Sequence, residues 1–270
     1  MRNRVRAWLA PEPPAGIRYV AEPAERKMVG VELLIVFTVT LGLSGVRSLI
    51  SLLDSLLKPV PLSQQHVAIN VPQANASFLD LLGQLANVAQ LVAWGSLGIY
   101  LLWRAGIRPA QIGLDRTRPG TDIAGGVGLA ALIGIPGLGL YLLARALNLN
   151  LTVLPTTLND TWWRIPVLVL AAAANAWAEE ALVVGFLITR LRQLGLRENS
   201  SALAAAVLRG SYHLYQGFGG FVGNLAMGLV FGRVWQRTNR LWALVVAHTL
   251  LDVASFVGYA LLADHVSFLR

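Results

Sequence analysis

Cysteine does not occur in this chain of 270 residues. Its absence excludes disulfide bonds, a thiolate nucleophile and any zinc site built on cysteine. A metal ion would have to be held by histidine, aspartate or glutamate. Charge is also scarce, because only 13% of the residues are charged, whereas soluble domains carry roughly 25%. The composition therefore argues against a soluble domain.

Apolar residues are correspondingly abundant. They make up 55% of the chain, which is more than one soluble core could hide, so much of this surface must face lipid. A helix needs about 20 mostly apolar residues to cross a hydrocarbon layer of roughly 30 Å. The sequence predicts an all-α polytopic membrane bundle of about seven to eight transmembrane helices. The predicted spans are residues 29–57, 79–103, 121–147, 162–191, 200–215, 218–235 and 241–263, with an eighth helix if the first span breaks near residues 44–47.

Lysine and arginine residues concentrate in alternate loops. Residues 1–27, 104–120, 190–199 and 233–240 hold 6, 4, 3 and 3 of them, which is 16 of the 22 in the chain. By the positive-inside rule these segments are cytoplasmic, so the N-terminus is predicted inside and the C-terminus outside. The basic residues form no single patch interleaved with aromatic residues. Nucleic acid is therefore not an expected partner.

Three parts are expected along the chain. Residues 1–27 are basic and contain several prolines, and we predict a flexible cytoplasmic tail attracted to anionic lipid headgroups. Residues 28–160 are predicted to hold the N-terminal transmembrane helices. Residues 161–270 hold the polar groups from which a function can be argued.

Two adjacent carboxylates, Glu179 and Glu180, lie in the middle of the predicted span 162–191. Each charge at that depth costs on the order of 2–3 kcal/mol, so such residues usually mark a function or an internal ion pair. Asn175 precedes Glu179 by four residues and shares its helix face. The adjacent carboxylates point about 100° apart on a helix, so the two need not serve one role.

Two further pairs of polar residues show a spacing of four. Arg209 and His213 end the predicted fifth span, and His248 and Asp252 lie in the seventh. At about 1.5 Å per residue, Glu179, His213 and His248 lie roughly 16, 20 and 10 Å from the inner ends of their helices. These depths allow the three groups to meet in one layer near the middle of the bilayer.

The order of these residues resembles a known family. The segments Glu179-Glu180, His213-Leu-Tyr-Gln-Gly217 and Ala247-His248-Thr-Leu-Leu-Asp252 are similar to the three motifs of the CPBP intramembrane proteases. This is the CAAX-prenyl-protease and bacteriocin-processing group, also called the Abi family. The resemblance runs from about residue 173 to residue 256. It implies that residues 161–270 form a catalytic helical core, in an integral protein of a prokaryotic plasma membrane.

The sequence departs from the family motifs at two positions. Val184 stands where the first motif, Glu-Glu-x-x-x-Arg, has arginine, and Arg209 stands where the second motif, Phe-x-x-x-His, has phenylalanine. One interpretation is that Arg209 supplies, from the neighbouring helix, the cation lost at position 184. It would then pair with one of the glutamates. The other interpretation is a degenerate site in a non-catalytic relative.

The resemblance implies an endopeptidase that hydrolyses a peptide bond with an activated water. Glu179 is the predicted general base, because a carboxylate held in a desolvated site suits proton transfer. His213 would share or orient the water. His248 and Asp252 would stabilise the oxyanion, with Asp252 holding the imidazole in place.

Further residues complete the predicted site. Glu180 is included with the catalytic residues, and Asn175 and Arg209 support them. In an alternative version, Glu179, His213 and His248 form a His₂Glu set that holds Zn²⁺ with one coordination position open. Both versions require separate spans to meet in space, since the zinc-protease signature on a single helix is absent.

Two other function classes remain open. The same fold could serve as a non-catalytic membrane scaffold or a bacteriocin-immunity protein. A transporter or proton channel could use the buried charges as a relay, although the sequence shows no broken-helix pairs or repeats. The expected partners of a protease are membrane lipids and a membrane-associated peptide or protein substrate. A site open toward the inner face would suit a membrane-tethered cytoplasmic tail.

Overall fold

The structure is a computed structural model that describes Trp8, Pro11 and residues 18–263. Most of the predicted tail of residues 1–27, and residues 264–270, lie outside the described residues. The described part holds eight helices, which confirms the predicted all-α class. They are α1 (Pro23–Val39), α2 (Leu41–Leu57), α3 (Ser77–Arg104), α4 (Pro119–Ala146), α5 (Arg164–Gln193), α6 (Glu198–Ser211), α7 (Phe218–Thr238) and α8 (Leu241–Leu262).

Four of these helices, α3, α4, α5 and α8, are long and apolar enough to cross a membrane, and the number becomes five if α1 and α2 form one bent span. Helices α6 and α7, which coincide with two predicted spans, are not in this set. The prediction of seven to eight spans therefore exceeds the number that length and composition support within the described residues.

The first predicted span breaks at Thr40, several residues before the expected position. Its two halves, α1 and α2, are bent by 52°. The Thr40 hydroxyl donates a hydrogen bond to the Val36 carbonyl over 2.7 Å, an interaction that bends helices. The bent pair also corrects the expectation that broken helices are absent.

Helix α5 changes its winding immediately after Glu179. Residues Arg164–Glu179 are α-helical, Glu180–Ile188 form a π-helix, and Thr189–Gln193 are again α-helical. All nine residues of the π segment are buried. π-Helical turns are rare and frequently occur at functional sites. The sequence pattern did not predict this one.

Two short strands, which the sequence did not predict, join two interhelical loops. Strand β1 (His66–Asn70) pairs in parallel with β2 (Thr152–Thr156), so that His66 lies opposite Thr152 and Asn70 opposite Thr156. An antiparallel bridge between Asn150 and Gly217 links the α6–α7 segment to the same region. We call β1, β2 and residues 147–150 and 213–217 the sheet end of the bundle.

The opposite end of the bundle gathers the basic segments. The Val20 amide donates to the Gln193 carbonyl over 2.9 Å, and Gln236 bonds to the backbone of Glu198. We call this end the basic end, and it comprises residues 18–27, 104–122, 190–199 and 233–241. The structure thus brings together segments that the alternating charge pattern predicted on one side.

Ion pairs join two segments at the basic end. Arg240 lies 2.7 Å from Asp115 and 2.5 Å from Asp122. Hydrogen bonds from Thr117 and Arg240 lower the pKa of Asp115 from its ordinary value of 3.8 to about 2. This carboxylate therefore stays charged at neutral pH and attaches the loop before α4 to the start of α8.

Candidate active site

A cavity of about 470 Å³ lies within the bundle. Side chains from α5, α8 and the segment between α6 and α7 line it. Five of the seven predicted site residues are among them: Asn175, Glu179, His213, His248 and Asp252. The other two, Glu180 and Arg209, are fully buried beside it. The structure thus brings these side chains together around one cavity.

Glu179 reaches the cavity from α5 with only 3% of its surface exposed. Its Oε2 atom accepts a hydrogen bond of 2.7 Å from the Tyr212 hydroxyl. Its carboxylate also interacts electrostatically with His213 and His248. Tyr212 was not among the predicted site residues. Its position directly before His213 was the feature of the sequence that could have indicated it.

His213 follows the end of α6, which stops at Ser211. Its Nδ1 atom lies 3.0 Å from the Arg209 carbonyl oxygen. A carbonyl only accepts, so Nδ1 carries the proton and Nε2 is left for another partner. The ring packs against Tyr212 at 4.8 Å between centroids. His213 thus contacts the backbone carbonyl of Arg209, while the Arg209 side chain has a different partner.

His248 lies on α8, and its imidazole ring contacts Glu180. Its Nδ1 atom lies 2.7 Å from Oε1 of Glu180. Its Nε2 atom lies 3.7 Å from Oδ1 of Asp252, beyond the normal length of a hydrogen bond. Asp252 instead accepts a hydrogen bond of 2.9 Å from Asn175. The residue that fixes the imidazole is therefore Glu180, rather than Asp252 as the sequence suggested.

Glu180 also forms an ion pair with Arg209. Nη2 of Arg209 lies 2.6 Å from Oε1 of Glu180, and neither side chain is exposed. The predicted pairing of Arg209 with a glutamate is confirmed. Val184, at the position of the family arginine, is an apolar residue packed in the core. Arg209, Glu180 and His248 thus form one chain of contacts from α6 through α5 to α8.

The C-terminal region matches a known protein family. Residues 161–254 match the family model described as Type II CAAX prenyl endopeptidase Rce1-like. Over this region the chain is similar to this family, which belongs to the CPBP group. The match confirms the resemblance drawn from the motifs, and it includes all seven predicted site residues. Comparisons with curated proteins and with solved structures gave no match.

Binding of Zn²⁺ by Glu179, His213 and His248 depends on where their donor atoms lie. Among residues 18–263, no group of three or more histidine, aspartate or glutamate side chains is placed to hold a metal ion. The donor atoms are partly engaged, since Nδ1 of His248 faces Glu180 and one oxygen of Glu179 accepts from Tyr212. The three side chains therefore form no ready ligand set for a metal.

The cavity combines groups that can act on water and on a carbonyl. Glu179 and His213 offer a carboxylate and a free imidazole nitrogen, and His248 lines the same cavity from α8. Asn224 on α7 and Gln216 add amide groups to the wall, and neither was singled out from the sequence. Apolar residues complete the lining, among them Leu41, Leu91, Trp94 and Phe256.

Proposed function

We propose that this chain is an intramembrane endopeptidase of the CPBP and CAAX-protease type, which hydrolyses a peptide bond with water activated by Glu179 and His213. The observation that carries the proposal is the meeting of Glu179, His213 and His248 on one cavity. They come from three separate parts of the chain. The family match supports a peptidase for the same residues.

Glu179 is the general base of this proposal. One of its oxygens is engaged by Tyr212, which leaves the other to accept a proton from water. His213 uses its free Nε2 atom to orient the same water. The water oxygen attacks the carbonyl carbon of the scissile bond, and its proton passes to Glu179.

The attack converts the carbonyl oxygen to an oxyanion that needs a donor. His248 supplies it from Nε2 in its protonated form, because Glu180 holds Nδ1. Asp252 and Asn175 form a polar wall beside this nitrogen. The tetrahedral intermediate then collapses and the C–N bond breaks. Glu179 returns its proton to the leaving amine, so the products are a carboxylic acid, which then releases its proton to water, and a free amine.

Arg209 and Glu180 are positioning residues in this account. Glu180 orients His248, and Arg209 neutralises Glu180 in the absence of an arginine at position 184. The buried contacts of 2.6 and 2.7 Å support this arrangement. Arg209 thereby takes over, from α6, the cationic role that the family motif assigns to α5.

The experiment is cleavage of a peptide library in detergent, read by mass spectrometry. Wild type is expected to cut at defined positions, while His248→Ala at equal abundance produces no fragments. Ser255→Ala is the matched control, because Ser255 lies on the same helix and lines the cavity without touching the proposed catalytic groups. Library cleavage by His248→Ala at the wild-type rate would contradict the proposal.

A chelator tests the proposed zinc version separately. If Glu179, His213 and His248 hold Zn²⁺ during catalysis, chelation removes activity and added Zn²⁺ restores it. Unchanged cleavage after exhaustive chelation would leave the metal-free version. Binding of Zn²⁺ to wild type and to His213→Ala, measured by calorimetry, gives an answer that does not depend on activity.

A further inference from the structure

The cavity occupies only part of the length of α5. The α5 residues that line it, Ala171, Asn175 and Glu179, all lie in the half that begins at the sheet end. Beyond Glu179 the helix continues as the buried π segment toward the basic end. Glu179 is therefore the deepest lining residue that α5 contributes.

On helices α7 and α8, the residues that line the cavity also lie toward the sheet end. On α8 the lining residues run from His248 through Asp252 and Ser255 to Phe256, away from the basic end where α8 begins. On α7 they are Asn224 and Met227, in the half nearest the sheet end. Helices α5, α7 and α8 thus border the cavity from mid-depth toward the sheet end, and Leu91 and Trp94 line it near the middle of α3.

The sheet end forms part of the cavity wall. Ile69 and Asn70 of β1 line it, together with Tyr215 and Gln216 of the segment bridged to Asn150. Ser255, on the wall from α8, is an exposed residue. The cavity therefore extends to the level of β1.

Tightly packed side chains close the cavity toward the basic end. Phe231 and Trp235 of α7 are 0% and 1% exposed. Leu241 and Leu244 of α8 are both 0% exposed, and all four residues pack in one core with the π segment. The Trp235 ring also donates a hydrogen bond to the Ile112 carbonyl. No lining residue of this cavity lies at the basic end.

The charge distribution relates these two ends to the two sides of a membrane. The basic end and the adjoining N-terminal residues carry 16 of the 22 lysines and arginines. Lys58, which precedes β1 in the chain, and Arg164, which follows β2, are paired with Asp54 and Asp160. The positive-inside rule places the basic end in the cytoplasm and the sheet end on the other side.

We infer that the active-site cavity opens to the extracytoplasmic face, and that its substrate is an extracytoplasmic segment of a membrane-anchored polypeptide. The part of this inference that concerns a substrate rests on the proposed function. It differs from the expectation of a site open to the inner face, which a cytoplasmic tail would require. The apolar walls suit apolar side chains on either side of the cut.

The test uses single cysteines, which need no prior engineering because the chain contains none. Ser255→Cys reports the cavity, Lys58→Cys the sheet end and Arg116→Cys the basic end, and all three positions are exposed. Intact cells are treated with a membrane-impermeant sulfonated maleimide. We expect Ser255→Cys and Lys58→Cys to react in intact cells, and Arg116→Cys only after permeabilisation.

Two results would overturn the inference. In one, Ser255→Cys reacts only under the conditions in which Arg116→Cys reacts. In the other, Lys58→Cys reacts from outside while Ser255→Cys does not. Labelling requires no catalysis, so Ser255→Cys combined with Glu179→Gln should react like Ser255→Cys alone. A failure of the proposed hydrolysis would appear as absent cleavage with this labelling pattern intact.

Substrate orientation gives a second readout. A peptide that the library identifies is fused to either side of a single transmembrane anchor, with the same linker in both fusions. Cleavage in cells is expected for the fusion that presents the peptide outside. Exclusive cleavage of the cytoplasmic fusion would overturn the inference even if the enzyme proved to be a protease.

Discussion

At the residue scale, adjacent glutamates have different surroundings. Glu179 faces the cavity and accepts from a tyrosine, whereas Glu180 is enclosed between a guanidinium and an imidazole. This division follows from helix geometry, since successive side chains point about 100° apart. In the proposed mechanism, one carboxylate reacts with water and the other holds the imidazole of His248 in place.

Replacing Tyr212 with phenylalanine tests how Glu179 is held. A hydrogen bond to a charged group contributes about 1.5–3 kcal/mol, so Tyr212→Phe is expected to lower kcat by roughly ten- to a hundred-fold. Tyr215→Phe is the control, because the Tyr215 hydroxyl accepts a hydrogen bond from Gln216, whereas Tyr212 is the tyrosine that donates to Glu179. Equal rates for the two variants in the library assay would remove Tyr212 from the mechanism.

Arg209→Ala should damage both stability and activity. Removing the guanidinium leaves Glu180 buried without its cation, and breaking such a pair costs about 3–5 kcal/mol. Leu203→Ala, on the same helix at an exposed position, is expected to change the free energy of unfolding by less than about 0.5 kcal/mol. Thermal unfolding in detergent measures the difference.

A double substitution tests more directly whether Arg209 replaces the arginine that the family motif has at position 184. The double variant Val184→Arg and Arg209→Phe restores the residue types of the family motifs. It is expected to recover activity that Arg209→Phe alone loses. If the double variant remains as inactive as the single one at equal abundance, an arginine at position 184 cannot replace Arg209.

Spacing predicted which polar residues share a helix face, but not the contacts that their side chains make. Intervals of four identified Asn175 with Glu179, and His248 with Asp252, because helical periodicity is a local property. The contact between Glu180 and His248 depends on the rotation of α5 against α8. That rotation arises from packing between distant segments, which one sequence does not reveal.

At the element scale, close approach of α6 and α7 sets the position of the His213 segment. A Cβ atom at Gly228 would lie 2.8 Å from the Cα of Ala206 on α6, whereas one at Gly232 would meet its nearest neighbour at 3.5 Å. The two glycines share a small-xxx-small spacing, which lets helices pack closely. The structure assigns the tight contact to Gly228.

The glycine pair therefore predicts an asymmetric response. Gly228→Ala must displace backbone and should destabilise the protein by about 1–3 kcal/mol. Gly232→Ala makes an ordinary contact and should be tolerated. Unfolding temperatures of the two variants check this expectation, and equal values would show that α6 and α7 do not pack as described.

The elements that sequence predicted are those with long apolar patterns. Helices α3, α4, α5 and α8 coincide with predicted spans. The π segment and the β1–β2 pair escaped prediction, and the break at Thr40 lies several residues before its expected position. Each of them depends on local hydrogen bonds or on a partner far along the chain, and a hydropathy pattern contains neither.

At the scale of the whole molecule, charge and chemistry occupy different levels of the bundle. Basic segments gather at one end, the reactive groups lie near mid-depth, and the cavity leads to the other end. Buried side chains fill the bundle between the site and the basic end. In the proposed mechanism, water for hydrolysis therefore reaches Glu179 from the sheet end.

The most direct measurement is cleavage by Glu179→Gln, compared with wild type at equal membrane abundance. The substitution keeps the shape of the side chain and removes the base. General-base catalysis contributes about 10²–10⁴-fold, so a loss of library cleavage by at least about a hundred-fold is expected, with an unchanged unfolding temperature. Cleavage at the wild-type rate would contradict the account, because water would then be activated elsewhere.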